Sequence, residues 1–289
     1  MTSTYLVFGA TGQQGQAVVG ALLANDHQVK AVTRDPADSA ARRIEQLGAG
    51  LVAADLDRPD SLKGLFDGVD GVFLALPLSP GRSGAEVERG KALIEALSAL
   101  DNPPPLVYSA ALWTDRATGV AHFESKREIR SHLAASGLPA CVLEPGSFLE
   151  NLLYPRTVKA VGSGRLVIPL ACEVPQPVVA IADIGRFAAW CLENPGKVAG
   201  NSYPLYAEVI THHRIAELMS DHLGREIRCK PLPRWIRRLA LGRDLSGMFF
   251  WFESAGYADH QLPPVEQFVT VLGQPLTTMR WLAETEYGQ

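Results

Sequence analysis

The sequence predicts an α/β protein, a doubly wound and mostly parallel sheet with a smaller C-terminal α+β lobe. Three observations predict it: short apolar, β-branched runs alternate with longer helical patterns, a glycine-rich turn follows the first run, and the alternation breaks after residue 150.

YLVFG reads as the first strand and residues 14–25 as the helix behind it. QVKAVTR is the second strand, residues 37–47 a helix stopped by the glycines of LGAG, and LVAAD the third strand. DGVFLALP and PPLVYSAA continue the series, separated by GAEVERGKALIEALSAL, where Val87, Ala92, Leu93, Ala96 and Leu97 follow a helical period. A helix over residues 125–136 leads into PACVLEP, a sixth strand. These strands are continuously apolar because helices cover both faces of a parallel sheet. The expected division is a main nucleotide-binding domain over 1–150, a mixed region over 151–200 that partly returns to the sheet, and a smaller substrate- or partner-binding lobe over 201–289. AIADIGRFAAWCLEN is the returning piece, with Asp183 expected to cap its helix, and KPLPRW and LPPVEQF read as turns.

A chain of 289 residues supports one large core, alone or with a smaller partner. With 27 basic against 31 acidic residues and a net charge of −4, no direct nucleic-acid binding is expected. The N-terminus runs straight into a strand and no apolar run reaches about 18 residues, so a soluble, cytoplasmic protein without a membrane span is expected. Cys141, Cys172, Cys191 and Cys229 lack paired metal spacing and read as buried free thiols in a reducing compartment. His212, His213 and His222 form no spaced ligand set, so no metal site is expected; Thr211 or a neighbour starts their helix, leaving the histidines exposed or interfacial.

GATGQQG places Gly9, Gly12 and Gly15 between strand and helix, with Thr11, Gln13 and Gln14 filling the turn. Glycines there let the backbone turn tightly and approach a pyrophosphate at the helix N-terminus. An NAD-selective site usually ends its second strand with an acid that holds the ribose hydroxyls. AVTR instead offers Arg34 and Thr33 to a 2'-phosphate, so NADP(H) is the expected cofactor, with NAD(H) left open. Asp55 is a candidate for the adenine amino group, whereas Asp57 or Asp60 caps the next helix. Leu76, Pro77 and Leu78 leave the fourth strand beside the expected crevice, either lining the ribose and nicotinamide or forming an ordinary loop.

Together YLVFGATGQQG, AVTR, DLDRPDSL, LVYSAA, AHFESKREIRSHLAASGLP and LEPGSFLENLL resemble the NmrA-like branch of the atypical short-chain dehydrogenases/reductases. The resemblance implies a Rossmann domain binding NADP or NAD, in proteins that are either reductases, including quinone reductases, or redox-sensing regulators. By motif it implies that Lys126 reaches the nicotinamide ribose, that Ser109 stands near the position of a catalytic serine, and that Phe148, Glu150 and Asn151 lie near the mouth of the nicotinamide pocket. His122 stands where the usual tyrosine would be, four residues before Lys126. One reading makes His122 the donor to an oxyanion as hydride passes to a quinone or another small aromatic or carbonyl acceptor. The other has His122 merely packing or capping its helix in a cofactor sensor that acts through a regulatory protein partner. In the lobe, Phe249, Phe250, Trp251, Phe252 and Tyr257 either contribute to an acceptor pocket or pack the lobe.

Overall fold

In the computed structural model, which describes residues 2–77, 83–254, 262, 266–274 and 276–279, the alternation opens with β1 (Thr4–Phe8), α1 (Gln13–Ala24), β2 (Gln28–Thr33), α2 (Ser39–Gln46) and β3 (Gly50–Ala53). It continues through β4 (Gly71–Ala75), α3 (Ser83–Ser98), β5 (Leu106–Ser109), α4 (Ala121–Ser136) and β6 (Ala140–Pro145). Then come β7 (Ser147–Phe148), α5 (Pro155–Gly162), β8 (Arg165–Ile168), β9 (Gln176–Val179), α6 (Ile181–Glu193), α7 (Pro195–Val198) and β10 (Ser202–Leu205). The chain goes on through β11 (Glu208–Ile210), α8 (His212–Leu223), β12 (Arg228–Pro231), α9 (Arg234–Ser254) and α10 (Glu266–Leu272).

The first of two units, Met1–Glu144 with Ile181–Pro204, is built on a seven-stranded sheet of order β10-β6-β5-β4-β1-β2-β3. The pairs from β6 to β3 are parallel. The order reverses between β1 and β4, which opens a crevice at the carboxyl ends of those strands. The register pairs Phe8 with Leu74 and Ala75 with Ser109, so the ends of β1, β4 and β5 lie side by side. One face buries α3 and α4 through Leu93, Leu97, Ile129 and Leu133, and on α1 Val18, Val19 and Leu22 are buried where it packs with α6.

Local chemistry sets the helix ends. Asp38 caps α2 by accepting from Ala40 N–H at 2.7 Å, Thr211 caps α8 by accepting from Arg214 N–H, and Gly137 ends α4 in the left-handed region. α4 starts at Ala121, earlier than the sequence pattern suggests, because the Glu124 carboxylate gathers the Thr118 and Gly119 amides of the preceding turn. Two capping expectations are corrected. Asp183 lies inside the first turn of α6, two residues after its start and not at the position before it, fully buried and paired with Arg186. Asp57 holds Arg89 in a bidentate pair at 2.7 and 2.6 Å, and Asp60 holds Lys63; neither caps the 3-10 turn at Pro59–Leu62.

The second unit, Pro145–Ala180 with Leu205–Gln289, contains a three-stranded sheet of order β11-β9-β7 and a parallel pair, β8 with β12. α9 breaks at Gly242, whose φ of 74° a β-carbon would disfavour. The break is required by the Arg237–Glu253 pair. Its residues are sixteen positions apart yet bonded at 2.8 and 3.0 Å, whereas a straight helix would separate them by about 24 Å. The same pair grips the segment after β8, since Arg237 donates to Pro169 O and Ala171 N–H donates to Glu253. Phe252 is buried against Phe249 and Trp251, Phe250 is exposed, and Tyr257 lies outside the described residues.

Cys172 and Cys229 form a disulfide, which corrects the expectation of four free thiols; Cys141 and Cys191 are free and buried. The bond closes a loop across a separation of 57 residues, and restricting the unfolded chain over that length stabilises by about 4 kcal/mol in the chain-entropy account. Reduction with excess dithiol, or Cys229→Ser, is expected to lower the melting temperature by several degrees, and reductant should leave the Cys229→Ser variant unmoved. Calorimetry with and without reductant checks both.

Candidate functional site

At the end of β1 the chain turns through Gly9, with φ 75°, against the end of β4: a β-carbon on Gly9 would lie 2.3 Å from Ala75 O. A β-carbon on Gly15 would lie 2.1 Å from Gly9 O, so the turn and α1 tolerate no side chain at either position. Gly12 differs. Its N–H donates to Gly9 O at 2.9 Å, yet an added β-carbon would meet only that oxygen, at 3.3 Å, and otherwise faces open space. No side chain caps α1. The first-turn amides of Gln13, Gln14 and Gly15 have no intrahelical acceptors and carry the positive end of the helix dipole, which suits a phosphate. Gln16 Nε2 braces the loop by donating to Thr11 O at 2.8 Å, and Ser109 Oγ donates to Gln14 Oε1 at 2.6 Å, tying the end of β5 to the turn. An open glycine cradle over unclaimed helix amides at the switch point fits a dinucleotide pyrophosphate.

At the end of β2 Arg34 is exposed, and its charge acts on Asp57, whose carboxyl is held below its usual range first by Arg89 and then, more weakly, by Arg34. The neighbouring acid, Asp35, accepts from Ala37 N–H through Oδ1 within its own turn. Thr33 Oγ1 is engaged with the backbone of Asp35. Asp55 is occupied likewise: its Oδ1 accepts from Asp57 N–H at 3.1 Å and its Oδ2 lies 3.6 Å from Arg58. Leu76 packs against the core, Pro77 is exposed, and Leu78 lies outside the described residues.

α4 carries His122, Ser125 and Lys126 on its buried face. His122 is 4% exposed, its ring edge-on to Phe123 at 4.6 Å. Lys126 Nζ donates to Glu86 Oε1 at 2.6 Å, and Ser125 Oγ donates to Glu86 Oε2 at 2.9 Å. Glu86, on α3 and 2% exposed, was not among the residues singled out by sequence. Its signal was present: it lies on the stripe Glu86, Gly90, Leu93 and Leu97, the one acid on an otherwise apolar face. Tyr108, fully buried beside Glu86, has its phenol pushed well above the usual range by burial and then by the Glu86 charge, so it stays neutral. Phe148 and Asn151 belong to the second unit, Phe148 half-buried in β7 and Asn151 exposed in the 3-10 turn Leu149–Leu153. His213 lies against Glu173 and Glu217, burial pushes the His212 imidazole down to about 4, and no metal-holding group occurs among the described residues.

The NmrA-like family model matches residues 1–284. The chain belongs to the NmrA-like family. An NmrA-like family domain-containing oxidoreductase of Penicillium ochrochloron, ptmS, is 29% identical over 286 residues, covering 87% of this chain and 84% of the relative. The NADPH complex of the quinone oxidoreductase QOR2 from Escherichia coli superposes with a TM-score of 0.81 at 21% identity, covering 98% and 99% of the two chains. NmrA, a negative transcriptional regulator in complex with NADP, superposes with a TM-score of 0.76 at 18% identity, covering 99% and 95%. This NmrA-like chain therefore has the NAD(P)-binding, oxidoreductase-type Rossmann fold. No helix among its described residues is long and apolar enough to cross a membrane.

The two glycines predict separable effects. Gly12→Ala should fold with a melting temperature within a few degrees of wild type while dinucleotide affinity falls at least about tenfold, because the new methyl occupies the cradle. Gly15→Ala should lose both, since the backbone it meets has no room to move. Calorimetry and dinucleotide titration on both variants check this.

Proposed function

We propose that this NmrA-like protein binds NADP(H) and passes a hydride to a quinone or other small activated aromatic acceptor. The uncapped start of α1 behind the open Gly12 cradle carries the reading. The amides of Gln13, Gln14 and Gly15 hold the pyrophosphate, and Arg34, exposed at the end of β2, meets a 2'-phosphate through a charge-assisted fork. When bound, the reduced dinucleotide supplies the hydride.

The chain's own groups favour an acceptor that needs little acid catalysis. Ser109 is 1% exposed with its hydroxyl on Gln14, His122 is buried, and the Lys126 ammonium is held by Glu86. None presents a proton donor to solvent. A quinone oxygen that has received two electrons is stabilised as an anion and takes its proton from water, so hydride plus one water-derived proton completes the hydroquinone. A simple ketone needs a placed acid. The oxidoreductase name of the Penicillium relative and the quinone oxidoreductase among the similar folds support this reading.

The same burial favours a second reading, a redox-responsive regulator that binds the dinucleotide and acts through a protein partner, supported by the likeness to a negative transcriptional regulator.

Stopped-flow consumption of NADPH with a panel of benzoquinones, naphthoquinones and simple ketones separates the two. Enzyme-dependent turnover with quinones and not ketones is expected, whereas tight NADPH binding with no turnover across the panel would leave the regulator. Arg34→Ala should raise the Kd for NADPH about tenfold to a hundredfold, the worth of a charged hydrogen bond, while the Kd for NADH stays within about twofold because that ligand has no 2'-phosphate.

A further inference from the structure

The buried pair between α3 and α4 bears on which oxidation state of the dinucleotide this site accepts. Lys126 is 7% exposed, and an isolated ammonium at such a position is costly. Glu86 compensates it with Oε1 at 2.6 Å and uses Oε2 for the Ser125 hydroxyl, so both carboxylate oxygens are engaged. Tyr108, the third polar side chain at this spot, is neutral. The other basic residues nearby on α3 are paired outward, Arg89 with Asp57 and Lys91 with Glu128. The close approach of the helices is set one turn further along, where a β-carbon on Gly90 would lie 2.7 Å from Ile129 Cγ1. The pair is thus held in a fixed place and contributes no net charge.

An oxidised nicotinamide carries a positive charge that the reduced ring lacks. We infer that Glu86 is the residue that lets this site accept the oxidised dinucleotide: by cancelling the Lys126 charge it removes a repulsion that would act on NADP+ and not on NADPH. The inference rests on the proposed dinucleotide reading, in which Lys126 would stand beside the nicotinamide ribose. Glu86 is a positioning residue in this account, acting through Lys126.

The test is the ratio of Kd for NADP+ to Kd for NADPH, measured on the full chain by calorimetry and by NADPH fluorescence. Glu86→Gln keeps the shape and the Ser125 contact but exposes the ammonium charge, so the ratio should rise about three- to tenfold, as one added charge at several ångströms in a partly screened site requires. Glu86→Asp should keep it near wild type. Lys126→Met, leaving the carboxylate alone, should move the ratio the opposite way, and it tests the same claim if Glu86→Gln does not fold. Glu86→Gln with Lys126→Met should return the ratio to within about twofold of wild type. A purely structural role for Glu86 would weaken both ligands by one factor and leave the ratio unchanged in every variant, which would overturn the inference while leaving dinucleotide binding intact. Failure of the wild-type protein to bind either form would overturn the dinucleotide reading, and this inference with it.

Discussion

The turn after β1 has no room for a side chain on either flank, and the geometry of the first unit follows from that. Gly9 lies against Ala75 O and Gly15 against Gly9 O at separations where any β-carbon would overlap backbone. Backbone cannot rotate away as a long side chain can, so these two positions fix how closely α1 approaches the sheet and how the turn meets the end of β4. The consequences are chemical. The helix starts without a side-chain cap, its first amides face the crevice where the strand order reverses, and Gly12 leaves the space in front of them open.

A second constraint operates across α3 and α4. A buried ion pair adds little to stability, since desolvation offsets the attraction, but removing one partner costs about 3–5 kcal/mol because it strands a charge. Losing either Glu86 or Lys126 alone would therefore cost the fold more than the intact pair contributes to it. With Ser109 anchored on Gln14, they also hold still the groups from which the sequence suggested chemistry. Among these described groups none is a solvent-facing acid, which is what the proposed function draws on.

The second unit is stapled at one short segment. Arg237 reaches Pro169, Glu253 takes the amide of Ala171, and Cys172 is bonded to Cys229, so residues 169–172 are tied to both arms of α9 and to β12. These ties work only because α9 folds back at Gly242.

The strands, helices and glycine turn of the first unit were legible in the sequence because each is written in short-range patterns: apolar runs of strand length, helical periodicity, and glycines where a side chain cannot fit. Arg34 was legible for the same reason, as a residue at a strand end whose position follows from local register. The partners of polar side chains were not. Glu86 meets Lys126 forty positions away, Asp57 meets Arg89 thirty-two positions away, and Cys172 finds Cys229. Helical period places Glu86 and Lys126 each on a buried stripe, but only the packing of α3 on α4 decides that the stripes face one another. By itself the sequence determined a dinucleotide-type scaffold, since backbone geometry is a local property. The tertiary structure alone decided that its lysine is neutralised and its histidine buried, because burial and charge pairing depend on what other parts of the chain bring alongside.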